Sequence, residues 1–289
     1  MAQLQTLAER LGYGPDARLL IVHADDLGLS GSVNSAFTEG QKSGLINSGS
    51  AMVPCTGFGE IAAFARSHEQ ADIGLHLALT SARVVERWGP VAPIAEVPSL
   101  VDQQGYFHER WTSATPINLE DVKRELRSQI DRAIENGLHP THLDSHQYLL
   151  QKKNAELFEI FIQLGRDYDL PLLISREWFA AYPYLQTLTT PSDIVLDRTI
   201  TIGPVILPEN WADFYRNELK QLPPGISEVL IHPAHDTREL QAFFQGRQEW
   251  GAAWRQRDLD FFTSGDFNAL LQEENIRLVT WREIASRLR

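Results

Sequence analysis

Four short apolar runs in this chain each end in histidines and aspartates: LLIVHADD (19–26), ADIGLHL (71–77), THLDSH (141–146) and SEVLIHPAHD (227–236). Each run has the length, β-branched content and polar flanks of a buried strand, which puts every cluster at a strand's carboxyl end. Parallel α/β folds carry their chemistry there, in open sheets and in barrels alike. Six of the nine histidines (His23, His76, His142, His146, His232, His235) fall in these clusters. Scattered surface histidines would not segregate so, and the pattern points to a metal-dependent enzyme.

Between the runs the spacing turns helical. Helices are expected over 31–44, closed by Gly44, over 59–68, and between the cap Asn118 and the stop Gly137. Others are expected over 154–168, 211–222, about 260–273 and 281–288, with further strands at 48–53, PLLIS (171–175) and IRLVT (276–280). Repeated βα units imply a parallel sheet that closes or nearly closes. The 289 residues fit one (β/α) barrel of about seven strands as a single domain. A long irregular insertion at about 81–117, rich in Pro and Trp, follows the His76 strand and reads either as a cover over the site or as a pinned surface excursion.

A formal charge of −12 with no Lys/Arg cluster argues against nucleic acid. The single cysteine, Cys55, excludes an intrachain disulfide and a Cys-rich zinc site. No signal-peptide pattern and no stretch of about 20 apolar residues is present, so no membrane partner is expected and the cytoplasm is the expected compartment. General frequency favours a homodimer.

Asp25 and Asp26 lie where the first strand turns into its loop, so one can bind a metal while the other stays free for proton transfer. On a strand, His142, Asp144 and His146 share a face. Asp26, His76 and His146 would make a two-histidine, one-carboxylate site open to water and substrate, compatible with Zn²⁺ or another divalent cation. His142 reads as a partner that orients a ligand. His232 suits a general acid, with His235 and Asp236 steadying its loop. Arg176 could pair with Asp25 or be a plain surface arginine. GAAWRQRDLDFF (251–262) could wall the pocket or pack at the surface.

HADDLGLS, GLHLALT, THLDSHQ and LIHPAHD, in this order over nearly the whole chain, resemble the YdjC-like carbohydrate deacetylases, a group that includes chitooligosaccharide and hopanoid-associated deacetylases. The resemblance implies a distorted (β/α) barrel of the polysaccharide-deacetylase type, one divalent cation (Zn²⁺ or Mg²⁺), and removal of an N-acetyl group from an amino sugar or small oligosaccharide. It also implies Asp26, His76 and His146 as metal ligands, Asp25 as base, His232 as acid and Arg176 as the arginine that positions the base. His142, Asp144 and His23 would then surround and orient these groups. The chain departs from the family at His23, where Asn is usual, and at Tyr148, where a further histidine is common. Two other readings compete: a metal-dependent phosphoesterase or sugar isomerase, for which the strand ends offer no bridging carboxylates or lysine, and a carbohydrate-binding barrel without turnover, which would not need Asp25 and His232.

Overall fold

The apolar runs become parallel strands. They are β1 (Arg18–Leu27), β2 (Ser48–Ala51), β3 (Ile73–Leu77), β4 (Leu143–Ser145), β5 (Arg198–Thr201), β6 (Gly225–Ile231) and β7 (Ile276–Leu278). The computed structural model describes residues 6–82, 85–112, 115–245 and 247–288. Its sheet runs β4-β3-β2-β1-β6-β5, and β7 pairs with the first residues of β1. β1 is the axis of the sheet: Leu19, Leu20, Ile21, Val22 and Ala24 are buried, the unbroken apolar run of a parallel strand covered by helices.

The ring closes through the two segments between β4 and β5. Leu173 N–H donates to the Leu143 carbonyl (2.9 Å), Leu196 N–H to Ile174 (2.9 Å) and Asp197 N–H to Ile226 (2.8 Å). The expected strand 171–175 is therefore present as a pair of single bridges, to Leu143 and to Leu196. The result is a distorted (β/α) barrel, irregular on this one side. β5 has no counterpart among the sequence expectations, because only Ile200 of its four residues is fully buried.

Helix Gly31–Ser43 is capped by Ser30 and closed by Gly44 at φ 72°, and helix Leu119–Glu135 by the Asn118 side chain, which accepts from Glu120 N–H. The helix expected over 260–273 is instead two, Ala252–Phe262 and Gly265–Glu273, the second capped by Ser264. The insertion over 81–117 is pinned to helix Leu119–Glu135: Glu125 accepts from Val91 and Ala92 N–H (3.0 and 2.9 Å), and Asp121 from Ser99 N–H (3.0 Å). It reaches the strand ends through Trp88, whose ring meets His146 edge-on with centroids 5.9 Å apart.

Candidate active site

β1 delivers two adjacent carboxylates to one cavity because its end is irregular. The pairing with β2 slips between Ala24 and Leu27, and Asp26 sits at φ 65°. A left-handed conformation away from glycine costs about 1–3 kcal/mol and concentrates at functional sites. Here it breaks the alternation of side chains along a strand. Asp25 and Asp26 consequently line the same cavity of about 340 Å³ with His76, His146, His232, Tyr148, Trp250 and Arg255.

Three atoms in this cavity form a near-regular triangle. Asp26 Oδ1 lies 3.5 Å from His76 Nε2 and 3.4 Å from His146 Nδ1, and the two nitrogens are 3.3 Å apart. Dividing the mean side by √3 puts the point equidistant from all three at about 2.0 Å from each, the length of a Zn–N or Zn–O bond. Of the three atoms, Asp26 Oδ1 is buried without a hydrogen-bond partner, which buried polar atoms seldom are. The residues therefore fit a divalent cation. Two other groupings, His23–His142–Asp144 and Asp25–His76–Asp144, also bring ligand atoms together, but all their members are buried, and Asp26–His76–His146 is the one of the three that lines the cavity with every member.

Behind the triangle, His76 Nδ1–H donates to Asp144 Oδ1 (2.8 Å), and Asp144 Oδ2 accepts from the Ser50 hydroxyl (2.8 Å). A carboxylate behind a ligating imidazole fixes its tautomer and orientation. Burial alone would lower the basicity of His76, yet Asp144 and Asp25 carry it up to about 9. Burial likewise would raise the Asp26 carboxyl, but Arg255, then His146 and His232, hold it well below the usual carboxylate range.

His232, just past β6, places Nε2 3.7 Å from Asp25 Oδ2, and burial pushes its imidazole down to about 4. Its backbone N–H donates to Asp258 Oδ2 (2.9 Å). Asp258 Oδ1 also accepts from Trp211 Nε1 and Tyr215 Oη, both at 2.9 Å.

The arginine of the site differs from the expected one. Arg176 begins a 3₁₀ turn after the closing strand, lies 3.6 Å from Asp197, and is 63% exposed. It turns outward and does not line the cavity. Arg255 does: its Nη2 donates to Asp26 Oδ2 at 2.6 Å and its Nε to the Trp250 carbonyl at 3.0 Å. The signal that could have found it is a charged pair, Arg255 and Asp258, spaced to share a helix face and buried with Trp254 and Phe262.

The shared wall of His142, Asp144 and His146 also divides. β4 ends at Ser145, and Gln147 and Tyr148 follow at φ 59° and 53°. His146 thus enters the cavity, Asp144 stands behind His76, and His142 lies deeper, bonded to Thr141 Oγ1 (3.0 Å) and stacked on Trp281 at 5.0 Å. His142 orients no member of the triangle. Gly74 on β3 admits it, because a Cβ there would lie 2.6 Å from the His142 ring. His235 pairs with Glu39 at 3.4 Å, outside the cavity.

A model of the family described as YdjC-like protein matches residues 19–273. The chain belongs to the YdjC-like family. A carbohydrate deacetylase of Thermus thermophilus is 32% identical, with 98% of this chain and 99% of the relative covered. One of Brevibacillus brevis is 27% identical over 92% of this chain and 99% of the relative. A crystal structure from Enterococcus faecalis V583, provisionally described as a cellobiose-phosphate cleavage protein, superposes on this YdjC-like protein with a TM-score of 0.78. It shares 28% identity and covers 93% of this chain and 99% of its own. No helix among the described residues is long and apolar enough to cross a membrane.

Proposed function

We propose that this YdjC-like protein is a metal-dependent hydrolase that removes an N-acetyl group from an amino sugar or small oligosaccharide. The observation that carries the reading is the triangle of Asp26, His76 and His146 with Asp25 and His232 in the same cavity. Relatives named carbohydrate deacetylase, matched over nearly their whole length, support it. Asp26, His76 and His146 would hold the cation, Zn²⁺ or Mg²⁺. When bound it supplies Lewis acidity and lowers the pKa of water.

The remaining work falls to the chain. Asp25 takes a proton from the attacking water, and the hydroxide adds to the acetamide carbonyl. As the C–N bond breaks, the amine must gain a proton. His232 is neutral near pH 7, so the proton it hands on is one it first receives, and Asp25 Oδ2 at 3.7 Å is its acidic neighbour. Acetate and a free amino sugar leave. Acetate release from a panel of N-acetylated mono- and oligosaccharides tests the reading. Release should stop on chelation and return with Zn²⁺ or Mg²⁺; no release from any member of the panel, with metal loaded, overturns it.

A further inference from the structure

One imidazole of the strand-end clusters never reaches the cavity. His23, in the middle of β1, is fully buried and does not line the pocket. Its Nε2 lies 3.2 Å from Asp25 Oδ1, 3.1 Å from Asp144 Oδ2 and 3.0 Å from Ser50 Oγ. Its Nδ1 faces away from the site, 3.1 Å from Ser48 Oγ and 3.4 Å from Glu228 Oε1. The Ser50 hydroxyl already donates to Asp144, so it meets His23 only as an acceptor. Every atom around Nε2 is then an acceptor, and Nε2 must carry a proton.

We propose that His23 is a positioning residue: its Nε2–H donates to Ser50 Oγ, which in turn donates to Asp144 Oδ2, and the same donor edge faces Asp25 Oδ1 at 3.2 Å without a hydrogen bond to it, so that one buried imidazole sets, through Ser50, the direction of Asp144 and of the His76 ring and holds the proton-accepting carboxylate electrostatically. The assignment of Asp25 as base rests on the deacetylase reading, whereas the link through Asp144 to His76 rests on geometry alone. A side chain that merely fills the core would not need a donor at Nε2.

Two substitutions separate the edges of the ring. The amide nitrogen of His23→Gln reaches approximately the place of Nε2, and that of His23→Asn only the place of Nδ1. Both keep the site buried and polar. His23→Asn should bind the cation about 10- to 100-fold more weakly, the usual effect of losing a group that orients a ligand. In the metal-saturated enzyme its kcat should fall about 100-fold with KM within about threefold, while His23→Gln keeps both quantities within about fivefold of the parent. Equal losses in the two variants, an unchanged His23→Asn, or a loss confined to KM overturns the proposal.

Metal affinity, read by calorimetric titration of the metal-free protein, needs no turnover. If the parent releases no acetate, the deacetylase reading fails by itself, and the Asp144 link still stands or falls on the two affinities. A measurement on the unsubstituted protein removes dependence on the variants' folding. ¹⁵N spectra of the histidine-labelled chain should show His23 Nε2 protonated, and a bare Nε2 there sinks the idea.

Discussion

Asp26 combines three constraints in one residue: a left-handed backbone, one oxygen given to Arg255 and the other turned to two imidazoles. Arg255 leaves Oδ1 free for a cation and compensates a buried charge when none is bound. Truncating one partner of a buried ion pair leaves the other uncompensated, at about 3–5 kcal/mol. Arg255→Met should therefore lower the urea-unfolding free energy of metal-free protein by about that much. The deficit should shrink when metal is added; equal deficits with and without metal would show that the arginine serves packing alone. Asp25, which is not in the triangle, behaves differently on substitution. Asp25→Asn should cut acetate release by about 10²–10⁴-fold, the range of general-base catalysis, with metal content unchanged by elemental analysis. Retained turnover removes its role as base. Asp25, Asp26, His76 and His146 were legible in the sequence because strand ends in parallel folds share one mouth. Arg255 was not, since it stands in the sequence among Gln256, Arg257 and Asp260 of the helix's solvent side and nothing but the fold sets it apart as the inward arginine, and Arg176, placed after an apolar run, was the more visible choice.

Helix Ala252–Phe262 covers the segment whose sequence could wall the pocket or pack at the surface, and it walls the pocket through Arg255. It sends Arg255 to Asp26 and Asp258 to the backbone of His232, one helix turn apart, so it sets a carboxylate and an imidazole of the cavity together. Ala253, Gln256, Arg257 and Asp260 form its one solvent-facing side, but Arg255 and Asp258 place charges on the buried face among Ala252, Trp254, Leu259, Phe261 and Phe262, so the apolar period that would mark that face is interrupted. Helix Leu119–Glu135 was legible for the opposite reason: its apolar stripe and its cap are both explicit. β5 escapes a reading by hydrophobic runs because only Ile200 of its four residues is buried, whereas PLLIS was legible as an apolar run although it pairs only through single bridges at Leu172 and Ser175. β3 shows how an element's fine sequence serves the site. Gly74 stands two residues before His76, and a methyl there would press on the His142 ring at 2.6 Å. The His142 ring is itself packed between His23 and Trp281, with centroids 5.0 Å from each. Gly74→Ala should destabilise the fold by about 1–3 kcal/mol, as overpacking of a filled core does. A lower urea midpoint with an unchanged slope is the expected result, and an unshifted midpoint would show that the rings can give way.

At the scale of the whole molecule, a chain of formal charge −12 buries Asp25, Asp26, Asp144 and Glu228 around one end of its barrel. Arg255 is the fixed cation among them, and burial pushes Glu228 up to about 8, against the pull of His23. On the proposed reading, proton and metal compete for the same place. In the metal-free protein, burial would lower His76, but Asp144 and Asp25 raise it from 6.5 to about 9. A raised base stabilises the fold fully below its unfolded value, so this contribution is complete below pH 6.5 and fades as pH rises through about 9. Metal binding has the opposite sign, because His76 can ligate only after losing that proton from the ring. Apparent metal affinity should thus rise by up to about tenfold per pH unit between these limits and level off above them. At a fixed free-metal concentration above the dissociation constant, raising the pH from 6.5 to 8.5 should enlarge the metal's stabilisation of the fold by up to about 2.7 kcal/mol. The rise should appear as a metal-induced Tm shift that grows with pH while the metal-free Tm loses the His76 contribution. A metal-induced shift that is flat across this range would mean that the cation displaces no proton from His76, and would sink the competition between proton and metal at this ring.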